Sequence, residues 1–180
     1  VVRADAPGIT IAPSPELLAL GATSSTSLKF DGVRIPRSHI LTEDLPAFCG
    51  TIRPTFLLLQ TSFCSGITRA SLAEAGSRLH GLGEQFTGEY ELVRAQYDSL
   101  RERLYRFAAD PSAVPPVEFV RLRLDGSIVA VAATRLEATL RGGAGYASAS
   151  ATNRRFREAA FLPVQSPSEG QLRWELSQYE

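Results

Sequence analysis

Arg141-Gly142-Gly143-Ala144-Gly145-Tyr146 sets three glycines within four positions at the end of a long apolar segment, and Arg157-Glu158-Ala159-Ala160 follows. Glycine carries no Cβ, so backbone can close on a ligand there and turn N–H groups toward a phosphate or ribose. The same residues also read as a helix C-cap followed by a turn. Ser148 occupies the place of the third glycine in a dinucleotide fingerprint of the Rossmann kind, so that motif is not encoded. Further along, Ser166-Pro167-Ser168-Glu169 has the form of a capping box with Pro at the first helical position, opening Gln171 to Leu176. Arg154-Arg155-Phe156-Arg157-Glu158 is a charge cluster, read either as a solvated helix face with internal pairs or as a grip on phosphate. His39 and His80, the two histidines, lie on different elements, which argues against a two-His metal site. No Gly-x-Ser-x-Gly elbow and no Walker loop occurs.

The elements that must position these residues change in kind near residue 45. Residues 1–44 read as β-structure. Gly8 to Ala12 is β-branched and ends at Pro13-Ser14-Pro15, while Ser27 to Pro36 sets Leu28 and Phe30 against Lys29 and Asp31, breaks at Asp31-Gly32 and resumes. From 45 to 180 the period is helical: Leu72, Ala75, Leu79 and Leu82 form one face, and Val93, Tyr97, Leu100, Leu104 and Phe107 a cleaner one, ended by Asp110-Pro111. A third series, Val117, Val120, Leu124, Ile128 and Val131, is ambiguous. Phe119 to Leu124 also alternates with period two, and Asp125-Gly126 would suit a hairpin turn. A single long helix must tolerate that Gly at about 1 kcal/mol. Trp174, flanked by Leu172 and Leu176, reads as packing or as an interface anchor.

Composition narrows the function classes. Apolar residues make up 44%, enough for a packed core, and 19 basic residues balance 19 acidic ones, which argues against nucleic acid as a partner. The apolar stretches are too short for a membrane span. Cys49 and Cys64 match no metal or redox spacing and read as buried free thiols of a cytoplasmic protein. The chain has no methionine and opens at Val1-Val2-Arg3 as if inside a strand, so it reads as a piece of a longer protein.

Two stretches resemble the C-terminal part of the acyl-CoA dehydrogenase family. The first is Leu20-Gly21 with Ser25 to Pro36 and Ile40-Leu41, similar to the end of the family's middle β-domain. The second is Leu140 to Tyr146 with Arg157-Glu158-Ala159, similar to its Gly-Gly-x-Gly turn and following Arg-Asp-Ala. Gly66 to Leu72 resembles the small-residue start of its first bundle helix. The resemblance implies a mainly α fold, a C-terminal helical bundle over 45–180 with a short β remnant at 1–44. That choice makes the third series a helix. It implies an FAD-dependent oxidoreductase acting on the α,β C–C bond of an acyl thioester, with acyl-CoA or a related thioester as substrate and a homo-oligomer, dimer or tetramer, as the assembly. Arg141, Gly142, Gly143 and Gly145 then hold the cofactor, and Glu169, in the pair Glu169-Gly170, is the candidate catalytic base. Counted from Arg157 without gaps, the base position falls on Ser166, and Glu169 needs a three-residue shift. The family's Gln before the Gly pair is Thr139 here, and Gln85-Phe86-Thr87-Gly88 lacks the Arg of the family's Arg-x-x-Phe-Gly. The alternative is a non-catalytic subunit or binding module on the same scaffold. In either case the 180-residue piece is expected to bind flavin weakly and to be inactive alone.

Overall fold

The computed structural model describes residues 1–179. The chain divides into two compact units, Val1–Ile52 and Arg53–Glu180. In the first, β1 (Ile9–Ile11) pairs antiparallel with β2 (Leu28–Phe30), with Ile9 opposite Phe30 and Ile11 opposite Leu28. The expected continuation of β2 to Pro36 does not form. Gly32 turns the chain at φ +61°, and Pro36 has no N–H to give a ladder. Leu28 and Phe30 are exposed rather than facing a core, because a pair of three-residue strands has no face wide enough to bury. Helix α1 (Leu45–Gly76) begins here. The Asp44 carboxylate accepts the Ala47 N–H at 3.0 Å and satisfies one of the donors left at the helix start.

The second unit is helical. It holds the rest of α1, then α2 (Thr87–Ala109), α3 (Pro116–Arg141), the single turn α4 (Gly143–Tyr146), α5 (Ala151–Ala159) and α6 (Glu169–Ser177). All five periodic residues of α2 are buried. Leu72 and Ala75 of α1 are buried too, but Leu82 is 91% exposed. Helix α1 stops at Gly76, and Gly81 with φ +57° opens a tight 3-10 turn that takes Leu82 off the helical face.

The ambiguous third series is one helix of 26 residues, not a hairpin. Gly126 is buried within it. A Cβ there would stand 3.2 Å from Thr61 Cγ2 and 3.3 Å from Cys64 Cβ, so this glycine is where α3 and α1 approach closely. Asp125 reaches Arg103 of α2 at 2.7 Å. The buried stripe differs from the expected series: Val120 and Leu124 are inside, while Ile128 and Val131 are exposed. Phe119, Leu122, Ala130 and Ala133 take their place, together with Arg123 and Glu137. Hydrophobic patterning cannot report a face that includes two charged residues. Phe107 and Phe119 meet edge to face at 5.7 Å, and Leu172 of α6 joins their core.

Cys64 is buried as expected, and burial pushes its thiol up to about 11 against the opposing pull of Arg123. Cys49 is exposed, which corrects the expectation that both thiols are interior. Among the described residues no helix is long and apolar enough to cross a membrane, and no group of three or more metal-ligating side chains occurs.

Candidate functional site

The glycine turn joins α3 to α5, and its three glycines have three different reasons. Gly142 ends α3 at φ +62° and ψ −149°, a region open to glycine alone. Its N–H donates to the carbonyls of Ala138 and Thr139, so it is the C-cap of α3. Gly145 is buried. A Cβ there would come within 2.6 Å of Arg141 Cγ and 3.1 Å of Thr152 Cγ2, so the residue lets the Arg141 stem and α5 close over the turn. Gly143 is explained by neither cap nor packing. Its φ is ordinary and nothing lies within 4 Å of the position a Cβ would take. Open space beside bare backbone is the arrangement a ligand wall requires.

Helix α5 pins this turn. The Ser150 hydroxyl donates to Gly145 O at 2.8 Å and accepts the Asn153 N–H at 3.0 Å, so one residue caps α5 and tethers the turn. Asn153 Nδ2 donates to Tyr146 O at 3.0 Å, and Arg157 Nη1 donates to Ser148 O at 3.3 Å. The two motifs singled out in the sequence are thus brought together. The charge cluster is only partly a solvated face. Arg154 pairs with Glu158 on its own helix, but Arg155 reaches into the core to Glu137 of α3. Arg141 makes no hydrogen bond or ion pair among the described residues, and Tyr146, at the other end of the turn, is 85% exposed. A cation, an uncovered aromatic ring and an open backbone stretch together suit a ligand carrying phosphate and a planar ring system. Tyr146 lay within the quoted motif, yet only its exposure marks it as part of this surface.

Glu169 stands elsewhere. It is the first residue of α6, its N–H donates to Pro163 O at 2.8 Å, and its carboxylate accepts Arg173 Nε at 2.8 Å. None of its hydrogen bonds or ion pairs reaches the glycine turn. The expected capping box on Ser166 does not form. Ser168 is the N-cap, accepting the Gln171 N–H at 3.4 Å, because α6 starts two residues later than a Ser166 cap would require. Ser166 is tied through its carbonyl to Gln60 Nε2 at 2.8 Å.

The loop between α5 and α6 rests on a group that the sequence did not mark, Arg123. It is fully buried, and burial lowers its pKa from the usual guanidinium value. Its signal was hidden in the ambiguity of α3: as a strand, Arg123 falls on the side of Arg121, opposite Val120, Leu122 and Leu124, and only as a helix does it share a face with Gly126 as well as Phe119.

No family model matches the sequence, and no curated protein sequence matches it. Solved structures do match. Butyryl-CoA dehydrogenase from Megasphaera elsdenii superposes with a TM-score of 0.81 at 19% identity, over 99% of this chain and 50% of that one. Glutaryl-CoA dehydrogenase from Mycobacterium smegmatis gives 0.83 at 19% identity over 99% and 49%. A nitroalkane oxidase gives 0.79 at 15% identity over 95% and 44%. The chain spans about half the length of these structures.

Proposed function

From a chain with the fold of the C-terminal helical part of acyl-CoA dehydrogenases, we propose that it is the helical portion of an FAD-dependent oxidoreductase that oxidises the α,β C–C bond of an acyl thioester, acyl-CoA or a close relative. The observation that carries this is Gly143, whose open backbone position has no structural cause of its own. The fit to FAD is local. Gly142 and Gly143 offer a wall without Cβ atoms, Gly145 keeps the turn tight, and Arg141 supplies a cation beside it. FAD, when bound, supplies the oxidising chemistry that no side chain can. The residues of this chain bind and orient it and move the proton: Glu169 is the candidate base for the α-proton, with Arg173 orienting its carboxylate. The same reading makes the protein a cytoplasmic homo-oligomer, dimer or tetramer.

A second reading, a non-catalytic module on the same scaffold, is favoured by one observation. Glu169 is committed to Arg173 at the start of α6, and Ser166, at the position counted without gaps, carries no carboxylate. Two substitutions in the full-length protein test both. A Cβ at position 143 meets no neighbour within 4 Å, so in Gly143→Val the melting temperature should hold while FAD affinity falls about tenfold or more. Unchanged FAD affinity would sink the proposal. Stopped-flow reduction of the bound flavin by an acyl thioester then separates the readings. Glu169→Gln should abolish it if Glu169 is the base, and normal reduction by this variant would leave only the module.

A further inference from the structure

Three other arginines drawn into the helical unit's interior or half-interior meet a carboxylate: Arg155 meets Glu137, Arg103 meets Asp125, and Arg53 meets Glu175. Arg123 is the most buried of them and meets none. Its Nε donates to Gln60 Oε1 at 3.2 Å. Its Nη2 donates to Leu162 O at 2.8 Å and to Gln165 Oε1 at 3.5 Å, and its Nη1 faces Cys64 Sγ at 4.0 Å. A buried guanidinium surrounded by neutral acceptors is an expensive arrangement, and a pair or an apolar side chain would serve stability better. What it does supply is geometry. The planar fork fixes several acceptors at once, which a lysine cannot do.

The acceptors converge on one segment. Arg123 holds Leu162 and Gln165, and Gln60, itself buried, links Arg123 to the carbonyl of Ser166 through its two amide atoms. Pro163, inside the same segment, accepts the N–H of Glu169 and so fixes where α6 begins. We propose that Arg123 and Gln60 are positioning residues: together they hold the 162–166 loop and, through it, set where Glu169 stands. This rests on the reading of Glu169 as the base.

Gln60→Glu separates positioning from plain stability. The new carboxylate gives Arg123 its missing counter-charge and removes the donor that holds Ser166 O. In the full-length protein the melting temperature should hold or rise, while amide hydrogen exchange across 163–168 quickens about tenfold. Single-turnover flavin reduction by acyl thioester should slow between about ten- and a hundredfold, with FAD affinity unchanged. Arg123→Lys keeps the charge, loses the fork, and should loosen the same loop. The proposal is overturned if both variants keep wild-type exchange in this loop. It is equally overturned if protection falls evenly through α1, α2 and α3, the mark of a general packing role. The exchange pattern is read without substrate. A wild-type protein that never reduces its flavin therefore defeats the reading of the base, and it is told apart from a failure of the tether.

Discussion

Glu137 shows what a buried charge looks like when it is fully answered. Its side chain has no exposure, and Arg155 donates to both carboxylate oxygens, Nε at 2.9 Å and Nη2 to the other. Burial raises the pKa of this carboxyl, and hydrogen bonding led by Arg155 outweighs it, so the folded value lies below the ordinary one. Its contribution to stability is therefore complete above about pH 4.3, the ordinary glutamate value, and is lost as pH falls through the lower folded value. Glu137→Gln should leave Arg155 facing a neutral amide and cost about 3 kcal/mol at neutral pH. Urea unfolding at pH 7 and at pH 3 checks this: the gap between variant and wild type should shrink at the acid end. A gap that stays constant with pH would show that the charge is not what matters. Arg123 has no such partner, and the contrast between the two arginines is what separates a structural clamp from a positioning group.

At the scale of elements, the glycine turn is only as rigid as α5 makes it. Ser150 is the hinge of that argument, because one hydroxyl both caps α5 and holds Gly145 O. Ser150→Ala removes both bonds and should cost about 1 to 2 kcal/mol. Chemical denaturation measures the cost. Loss of stability without any loss of FAD affinity in the full-length protein would mean that the turn is held well enough by Asn153 and Arg157. Helix α3 makes the complementary point. Its 26 residues carry the buried Gly126 that admits α1 and the buried Arg123 that holds the α5–α6 loop, and Gly142 caps its end and starts the turn. The three are spaced along one helix, so a hairpin in its place would have scattered them.

For the whole molecule, the helical unit leaves Phe56, Leu59 and Phe63 of α1 exposed by 47%, 56% and 57% at helical spacing. Leu59 also lines a groove of about 770 Å³ with Tyr97 and Tyr105 of α2, and Arg69 and Arg101 are among its walls. Apolar surface of this kind is normally covered. The 180-residue chain by itself should therefore self-associate, and Phe56→Ser with Phe63→Ser should reverse the association. Sedimentation velocity at micromolar concentration checks both, and a compact 19.5 kDa monomer of the unmodified chain would contradict the expectation.

The mainly helical architecture, the burial of the α2 face and the existence of a turn at 142–145 follow from the sequence alone. Period, glycine and proline placement are local properties, and each residue reports them without reference to distant ones. The tertiary structure decided everything that depends on what lies opposite. It made Asp125-Gly126 part of a helix, with Gly126 set closely against Thr61 and Cys64 of α1. It divided the three glycines into a cap, a packing contact and an open position. It set the cap of α6 on Ser168 instead of Ser166. It also buried Arg123 and Glu137, whose charge marks them as surface residues in any linear reading. Charged side chains enter a core only where partners from remote segments meet them, and Gln60, Leu162 and Arg155 are remote in sequence from the residues they satisfy.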